Sequence, residues 1–159
     1  MKPETEGRKA LKALLEETKV KDVMTREVLS IGVDDSFSKV PEFFQRTGFR
    51  HLPVVGENGR FMGLITERDL YKIRSPRKLI DGSWYYDSEM LDDVILKHVM
   101  VKDTFTMSPE ATLAEALTKM TICKYGCVPI LEEDGTLCGI LTQHDLLRVA
   151  YEILKGKRK

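Results

Sequence analysis

The chain carries one pattern twice, at a constant offset of 76 residues. The stretch Gly63-Leu64-Ile65-Thr66-Glu67-Arg68-Asp69-Leu70 returns as Gly139-Ile140-Leu141-Thr142-Gln143-His144-Asp145-Leu146. Residues 20–71 align with residues 96–147 without a gap, and ten of the 52 aligned positions are identical. A register held over that length is typical of a duplicated structural unit. We therefore expect two copies of one small unit, with a function that both copies perform together.

The length of 159 residues suits one pseudo-symmetric domain built from two small halves. Each half alone is too small to bury much surface, so we expect the halves to share one core. The predicted divisions are an N-terminal helix over 1–19, a first copy over 20–74, an insert over 75–95, a second copy over 96–154 and a basic tail over 155–159.

Charge and hydropathy exclude several classes of protein. Lys and Arg together number 25, as do Asp and Glu, so the net charge is zero and a general nucleic-acid binder is not expected. The longest apolar runs, such as Phe61–Ile65, are far shorter than a membrane span, and the first residues carry no apolar signal core. We therefore expect a cytoplasmic protein that binds neither nucleic acid nor membrane.

The three cysteines, Cys123, Cys127 and Cys138, all lie in the second copy. Their number is odd, and Cys123 and Cys127 have no second Cys or His pair at the spacing of a zinc site. We expect free thiols in the core or in a cleft.

Each copy reads as strand, helix, strand, strand, helix, which predicts an α+β fold with both helices of a unit on one face of a small sheet. The predicted elements of the first copy are a strand over 28–31, a helix from about Ser36 to Gly48, strands over 51–55 and 61–65, and a helix from Thr66 to about Arg74. Those of the second copy are a strand over 103–107, a helix over 112–124, strands over 127–131 and 137–141, and a helix over 142–154. Pro41 lies inside the first predicted helix and is expected to bend it.

Two segments lie outside the repeat. Residues 6–19 predict a helix with a narrow apolar stripe of Leu11, Leu14 and Leu15, which either covers the first copy or pairs with another subunit. In the insert, Trp84-Tyr85-Tyr86 is either a linker pinned onto the core or a lid or partner surface, and Glu89–Lys97 predicts a short helix.

Thr66-x-x-Asp69 and Thr142-x-x-Asp145 open the last helix of each copy. One interpretation is purely structural, because Thr-x-x-Asp is a helix capping box. The other is functional, because a helix N-terminus suits phosphate and an adjacent Asp can accept hydrogen bonds from a ribose diol. Both roles can coexist.

Arg50 and His51 precede the strand of the first copy that carries Pro53. Arg binds phosphate in a bidentate manner, and His can donate a hydrogen bond or titrate; a half-buried structural histidine is the alternative. The second copy has Gly126 and Cys127 at these positions, so its phosphate-binding capacity differs.

Taken together, these motifs resemble a tandem pair of cystathionine β-synthase-type (CBS) domains, a Bateman module. The matching stretches are Val23-Met24-Thr25, Val99-Met100, Arg50-His51-Leu52-Pro53-Val54-Val55, Val128-Pro129-Ile130 and the two repeated octapeptides. The resemblance covers about residues 20–150 and implies two CBS repeats related by a pseudo-twofold axis.

The resemblance implies that AMP, ADP, ATP or S-adenosylmethionine binds in clefts between the copies as a regulatory ligand, with no obligatory cofactor. It implies Asp69 and Asp145 as ribose binders. The other implied ligand-binding residues are Thr66 and Thr142 at phosphate or ribose, Leu29, Ser30, Phe105 and Thr106 at adenine, Tyr125 or Phe49 at the pocket wall, and Arg50 and His51 at phosphate. Cys127 departs from the family pattern and leaves room for a less charged ligand.

Three functions follow from these features. The first is a non-catalytic regulatory module that changes shape with its adenosyl ligand and signals in trans, as a homodimer or to a separate protein target, because residues 20–150 leave no room for an attached catalytic domain. The alternative is a structural or interaction protein with vestigial ligand sites. An enzyme is the least favoured, because the sequence shows no nucleophile with a positioned base and no metal cluster.

Overall fold

The structure is a computed structural model that describes residues 5–73, 77–78, 80–82, 84–85 and 96–156. The chain forms two compact units. One unit joins Met1–Val28 to Phe105–Lys159, and the other comprises Leu29–Thr104. We refer to them as the second-copy unit and the first-copy unit, after the repeat that each contains.

The first-copy unit is built around a three-stranded sheet with the strand order β1-β2-β3. Its elements are β1 (Ile31–Gly32), α2 (Lys39–Thr47), β2 (His51–Val55), β3 (Phe61–Thr66), α3 (Glu67–Ile73), β4 (Arg77–Lys78), β5 (Trp84–Tyr85) and α4 (Leu96–Val99). β1 runs parallel to β2, whereas β2 and β3 form an antiparallel hairpin. At its turn, Asn58 and Gly59 adopt positive φ angles of 55° and 73°, which Asn and Gly tolerate in a tight hairpin turn.

The second-copy unit repeats this arrangement. Its elements are α1 (Glu6–Glu17), α5 (Leu113–Cys123), β6 (Cys127–Leu131), β7 (Leu137–Thr142) and α6 (Gln143–Leu154), with a 3₁₀ turn at Val20–Asp22. β6 and β7 form the antiparallel hairpin. Met107 makes a single parallel bridge to Ile130, where the first copy has the pairing of Ile31 with Val54.

Each unit has its own apolar core. The first-copy core consists of Ile31, Phe37, Val40, Phe44, Leu52, Val54, Ile65, Leu70, Leu96 and Met100. The second-copy core consists of Val20, Val23, Met24, Leu113, Ala116, Met120, Val128, Ile130, Leu141 and Val149. The expectation that the two halves share one core is therefore wrong, because the described buried apolar residues form two distinct clusters.

The first residues of each copy, here called its leading segment, pack in the unit that contains the other copy. Thr25, from the start of the first repeat, forms an antiparallel bridge with Ile140 on β7, with N–O distances of 2.9 Å in both directions. Val101, at the start of the second repeat, bridges Leu64 on β3 at 3.0 and 2.8 Å. The duplication thus exchanges its leading segments, which an alignment of the two copies does not reveal.

The N-terminal helix packs on the second-copy unit, so the expectation that it covers the first copy is wrong. Leu15 contacts the second-copy core, and the backbone N–H of Leu113 donates to the carbonyl oxygen of Thr18 at 2.8 Å. Leu11 remains 45% exposed. The stripe is therefore only partly used in docking α1.

Two local predictions also need correction. The first strand of each copy is shorter than expected: β1 begins only at Ile31, and residues 103–106 lie in no strand. Pro41 is the third residue of α2, where a backbone N–H has no partner within the helix, so the predicted bend does not follow. In the insert, β4 and β5 pair antiparallel; Tyr86 and most of the predicted helix over 89–97 lie outside the described residues.

The three cysteines are free, as expected. Cys127 is buried and Cys138 is half-buried, but Cys123 is exposed, so the expectation of a core or cleft position is wrong for Cys123. Among the described residues, no helix is both long and apolar enough to cross a membrane.

Candidate functional site

Thr66 and Asp69 form a reciprocal capping box where β3 passes into α3. The backbone N–H and the hydroxyl of Thr66 donate to Asp69 Oδ2 at 3.0 and 2.7 Å, and the backbone N–H of Asp69 donates to Thr66 Oγ1 at 3.3 Å. The capping role predicted for this motif is confirmed. It fixes a half-buried carboxylate beside the first turn of the helix.

Thr142 and Asp145 repeat this geometry at the start of α6. Asp145 Oδ2 accepts from the backbone N–H of Thr142 at 2.8 Å and from its hydroxyl at 2.7 Å. Asp145 Oδ1 accepts from the Thr25 hydroxyl at 3.0 Å and from Arg148 Nη2 at 2.9 Å. The carboxylate is only 3% exposed, and a buried carboxylate requires such partners.

Sequence reasoning missed Thr25 and Arg148. Arg148 follows Asp145 by three residues on a helix, a spacing that indicates an ion pair. Its Nη2 also donates to the carbonyl oxygen of Val23 at 2.7 Å, which ties the leading segment to α6. Thr25 had no such signal, because it lies 120 residues away in sequence.

Arg50 and His51 lie next to the capping box of the first-copy unit. His51 is paired with Thr66 across the β2–β3 hairpin, and the carbonyl oxygen of Arg50 accepts from the N–H of Glu67 at 3.0 Å. Burial, and to a smaller extent the charge of Arg50, lower the pKa of His51 below its ordinary value. The imidazole therefore favours the neutral form, while the exposed Arg50 supplies a positive charge.

Gly126 and Cys127 occupy the same positions in the second-copy unit. Cys127 is paired with Thr142, and the N–H of Gln143 donates to the carbonyl oxygen of Gly126 at 3.2 Å. Burial raises the pKa of the Cys127 thiol to about 12, so the thiol is neutral at physiological pH. This position contributes no charge, in contrast to Arg50.

The residues expected at adenine and at the pocket wall differ between the copies. Phe105 and Tyr125 are stacked, with ring centroids 5.4 Å apart and an interplanar angle of 7°, and Lys119 Nζ lies 6.0 Å from the Phe105 centroid. Their counterparts, Leu29 and Phe49, are 51% and 54% exposed. Both copies thus carry accessible or half-buried apolar side chains at these positions.

The other two residues expected at adenine are Ser30 and Thr106, which follow Leu29 and Phe105 in sequence. Ser30 is exposed and Thr106 is half-buried.

Among the residues that the structure describes, no group of three or more His, Cys, Asp or Glu side chains is arranged to hold a metal ion.

The sequence matches curated relatives over most of its length. An uncharacterized protein of Methanocaldococcus jannaschii is 28% identical over 151 residues, which cover 89% of this chain and 51% of that protein. A CBS domain-containing protein of Dictyostelium discoideum is 25% identical, with 86% of this chain and 93% of that protein covered. The chain therefore spans about half the length of the first relative and nearly all of the second.

Solved structures share the fold. A CBS domain-containing protein of unknown function from Bacillus anthracis matches with a TM-score of 0.74 at 21% identity, covering 89% of this chain and 98% of that one. CBSX2 in complex with AMP matches with a TM-score of 0.70 at 21% identity, covering 86% and 98% of the two chains. At these identities the likeness shows the fold alone.

Two further neighbours also hold adenosyl ligands. One is a CBS domain pair in complex with 5′-methylthioadenosine and S-adenosylmethionine (TM-score 0.65, 20% identity, 89% of this chain and 98% of that one). The other is the CBS domain of a bacterial CNNM/CorC family Mg²⁺ transporter in complex with ATP (TM-score 0.69, 19% identity, 86% and 89%).

The family model of the CBS domain matches residues 20–75 and again residues 96–152, which together are well over half of the chain. These two segments contain both capping boxes and both hairpins described above. The chain belongs to the CBS domain family, as a tandem pair of CBS domains.

Proposed function

We propose that this CBS pair is a non-catalytic regulatory module that binds an adenosyl ligand. The ligand class is AMP, ADP, ATP or S-adenosylmethionine, and it acts as a signal rather than as an obligatory cofactor. The proposed ligand-binding residues are Leu29, Ser30, Arg50, His51, Thr66, Asp69, Phe105, Thr106, Tyr125, Cys127, Thr142 and Asp145.

The observation that carries this proposal is the duplicated Thr-x-x-Asp geometry. In both units a threonine side chain and backbone orient one carboxylate oxygen at the start of a helix. A carboxylate held in this manner can accept hydrogen bonds from the two hydroxyls of a ribose, as acidic residues do in dinucleotide-binding folds. The AMP, ATP and S-adenosylmethionine complexes of proteins with this fold support the same ligand class.

The charged neighbours favour a phosphorylated ligand beside the first-copy capping box. Arg50 is exposed, and Arg binds phosphate through two parallel hydrogen bonds. A bound phosphate would also favour protonation of His51, whose pKa is low in the structure because of burial. Gly126 and Cys127 supply neither contribution.

Signalling in trans, as a homodimer or to a separate protein target, is part of the proposal. Three apolar side chains on α6, Leu147, Tyr151 and Leu154, are exposed and recur at helical spacing. An apolar stripe of this kind supports an interface with a second protein chain. A ligand can change such an interface only if it binds two arrangements of the module with different affinities.

The alternative is a structural CBS pair in which the ligand sites are vestigial. One observation favours it: Asp145 is 3% exposed and already accepts hydrogen bonds at both of its oxygens. In that case the capping boxes would serve helix stability alone.

Titration calorimetry separates the two functions. AMP, ADP, ATP and S-adenosylmethionine are titrated into the protein, with GTP and NAD as comparison ligands, and the titrations are repeated on Asp69→Asn and Asp145→Asn. The proposal expects saturable binding of at least one adenosyl compound, weakened in one or both variants. Absence of binding by every adenosyl compound at millimolar concentration would favour the structural alternative.

A further inference from the structure

The carboxylate of Asp145 already accepts as many hydrogen bonds as its two oxygens can hold. Oδ2 accepts the N–H and hydroxyl of Thr142, while Oδ1 accepts the Thr25 hydroxyl and the Arg148 guanidinium. A carboxylate offers about four lone-pair sites, so all of them are in use. A ribose diol that binds Asp145 must therefore displace an existing donor.

If ribose displaced the two hydrogen bonds from Thr142, the start of α6 would lose its N-terminal cap. If ribose instead displaced Thr25 or Arg148 from Oδ1, the cap would remain. We propose that Thr25 and Arg148 are internal competitors that lower the affinity of Asp145 for ribose. This inference rests on the proposed adenosyl-binding function and specifies which residues regulate the second-copy site.

The first copy provides the natural comparison at the position of Thr25. Val101 forms the same antiparallel bridge to β3 that Thr25 forms to β7, and the backbone N–O distances agree within 0.2 Å, at 2.8–3.0 Å against 2.9 Å. A valine side chain has no polar atom, so no hydroxyl from this position competes for Asp69. The two copies place the same backbone against the hairpin but present different chemistry to the carboxylate.

The two ligand sites therefore differ in the side chain that this position presents to the carboxylate. At Asp145, part of the binding energy of a ribose is used to release the Thr25 hydroxyl or the Arg148 guanidinium. At Asp69, the Thr25-type competitor is absent. Competition from a hydroxyl at this position is therefore confined to the Asp145 site.

Reciprocal substitutions test this directly. Thr25→Val removes the hydroxyl at nearly constant shape, and Thr25 is exposed, so the fold should tolerate the change. Thr25→Ser is the conservative variant that keeps the competing hydrogen bond. Val101→Thr introduces a hydroxyl at the equivalent place in the first copy.

AMP binding is measured by titration calorimetry, at the Asp145 site in an Asp69→Asn background and at the Asp69 site in an Asp145→Asn background. Thr25→Val is expected to lower the dissociation constant at the Asp145 site by roughly two- to tenfold, the range for one hydrogen bond. Thr25→Ser should bind AMP less tightly than Thr25→Val. Val101→Thr is expected to raise the dissociation constant at the Asp69 site by a similar factor.

The inference is overturned if Thr25→Val leaves AMP binding at Asp145 unchanged or weaker, or if Thr25→Ser binds as tightly as Thr25→Val. If binding at Asp145 is too weak to measure in the Asp69→Asn background, the double change Thr25→Val with Arg148→Gln must make it measurable, and continued absence also overturns the inference. Failure of the wild-type protein to bind any adenosyl compound would instead refute the proposed function.

Discussion

Met24 lies against Gly139, so closely that a Cβ atom built on Gly139 would collide with the methionine sulfur. In the first-copy unit, Met100 lies against Gly63 in the corresponding arrangement. Each glycine belongs to the octapeptide of one repeat and each methionine to the leading segment of the other. At Gly63 the missing side chain leaves room for the backbone of Val101, whereas at Gly139 it leaves room for the Met24 side chain.

Gly63→Ala should destabilise the protein more than Gly139→Ala. A Cβ on Gly63 would lie 2.8 Å from the carbonyl oxygen of Val101, which is backbone and cannot move without disturbing the bridge to Leu64. The nearest atoms to Gly139 all belong to the Met24 side chain, which can change rotamer. We expect a loss of about 1–3 kcal/mol for Gly63→Ala and less for Gly139→Ala, measured by equilibrium urea unfolding.

A double-mutant cycle provides the control for this prediction. Met24→Ala creates room at Gly139, so the loss in Met24→Ala/Gly139→Ala should be smaller than the sum of the two single losses. Additive losses, or a larger effect at Gly139 than at Gly63, would contradict the proposed contacts.

The capping threonines should affect both stability and ligand binding. Thr66→Ala and Thr142→Ala remove a helix cap and release the carboxylate that the cap orients, so each should cost about 1 kcal/mol and weaken AMP binding. Thr112→Ala is the matched control, because Thr112 forms the same reciprocal box with Glu115 but is not one of the proposed ligand-binding residues. It should lose similar stability and bind AMP normally. A loss of AMP binding in Thr112→Ala would show that the effect is a general consequence of destabilisation.

The docking of α1 predicts unequal roles for two leucines on the same stripe. Leu15 packs against the second-copy core, so Leu15→Ala should lower the free energy of unfolding by about 1–2 kcal/mol, less than for a fully buried leucine. Leu11 is 45% exposed, so Leu11→Ala should change it by less than about 0.5 kcal/mol. Urea unfolding of both variants checks the prediction, and equal losses would contradict the observed packing.

His51 should make the unliganded protein less stable at mildly acidic pH. Its pKa is lowered in the folded state, mainly by burial, so the unfolded chain binds more protons between that pKa and about 6.5. The stabilising effect of the neutral imidazole is present above pH 6.5 and is lost as the pH falls through the folded-state pKa. His51→Cys, which copies the second repeat, should reduce the fall in stability between pH 7.5 and 5.5.

The comparison isolates His51 because His98 and His144 are exposed and present in both proteins. Urea midpoints at the two pH values provide the measurement. An identical fall in stability for wild type and His51→Cys would show that burial of His51 does not contribute.

Much of this fold follows from local sequence rules. The bounds of β2 and β6 agree with the strands predicted over 51–55 and 127–131, and those of α6 agree with the helix predicted at the Thr-x-x-Asp box. A short strand, a turn and a cap are decided by neighbouring residues. The capping box of Thr112 and Glu115 at the start of α5 is likewise a local feature. The bend predicted at Pro41 was not reliable, because proline bends a helix in its interior but is tolerated in its first turn, and the sequence did not fix where α2 begins.

The exchange of leading segments did not follow from the sequence. Thr25 reaches Asp145 and Met24 reaches Gly139 over more than a hundred residues, and no local pattern marks such pairs. Alignment of the two copies does not show which hairpin each leading segment contacts. As a consequence, the donors that surround Asp145 could be identified only in the folded structure.

The most direct test of the account is thermal unfolding with AMP, with GMP as the comparison that keeps ribose and phosphate but changes the base. A ligand at about 100 times its dissociation constant adds roughly 2.7 kcal/mol of stability. For a protein of this size the account predicts a rise in Tm of roughly 5–10 °C with AMP, a smaller rise with GMP, and none in the double variant Asp69→Asn/Asp145→Asn. An unchanged Tm with AMP, ADP, ATP and S-adenosylmethionine up to millimolar concentration, or an equal rise in the double variant, would contradict it.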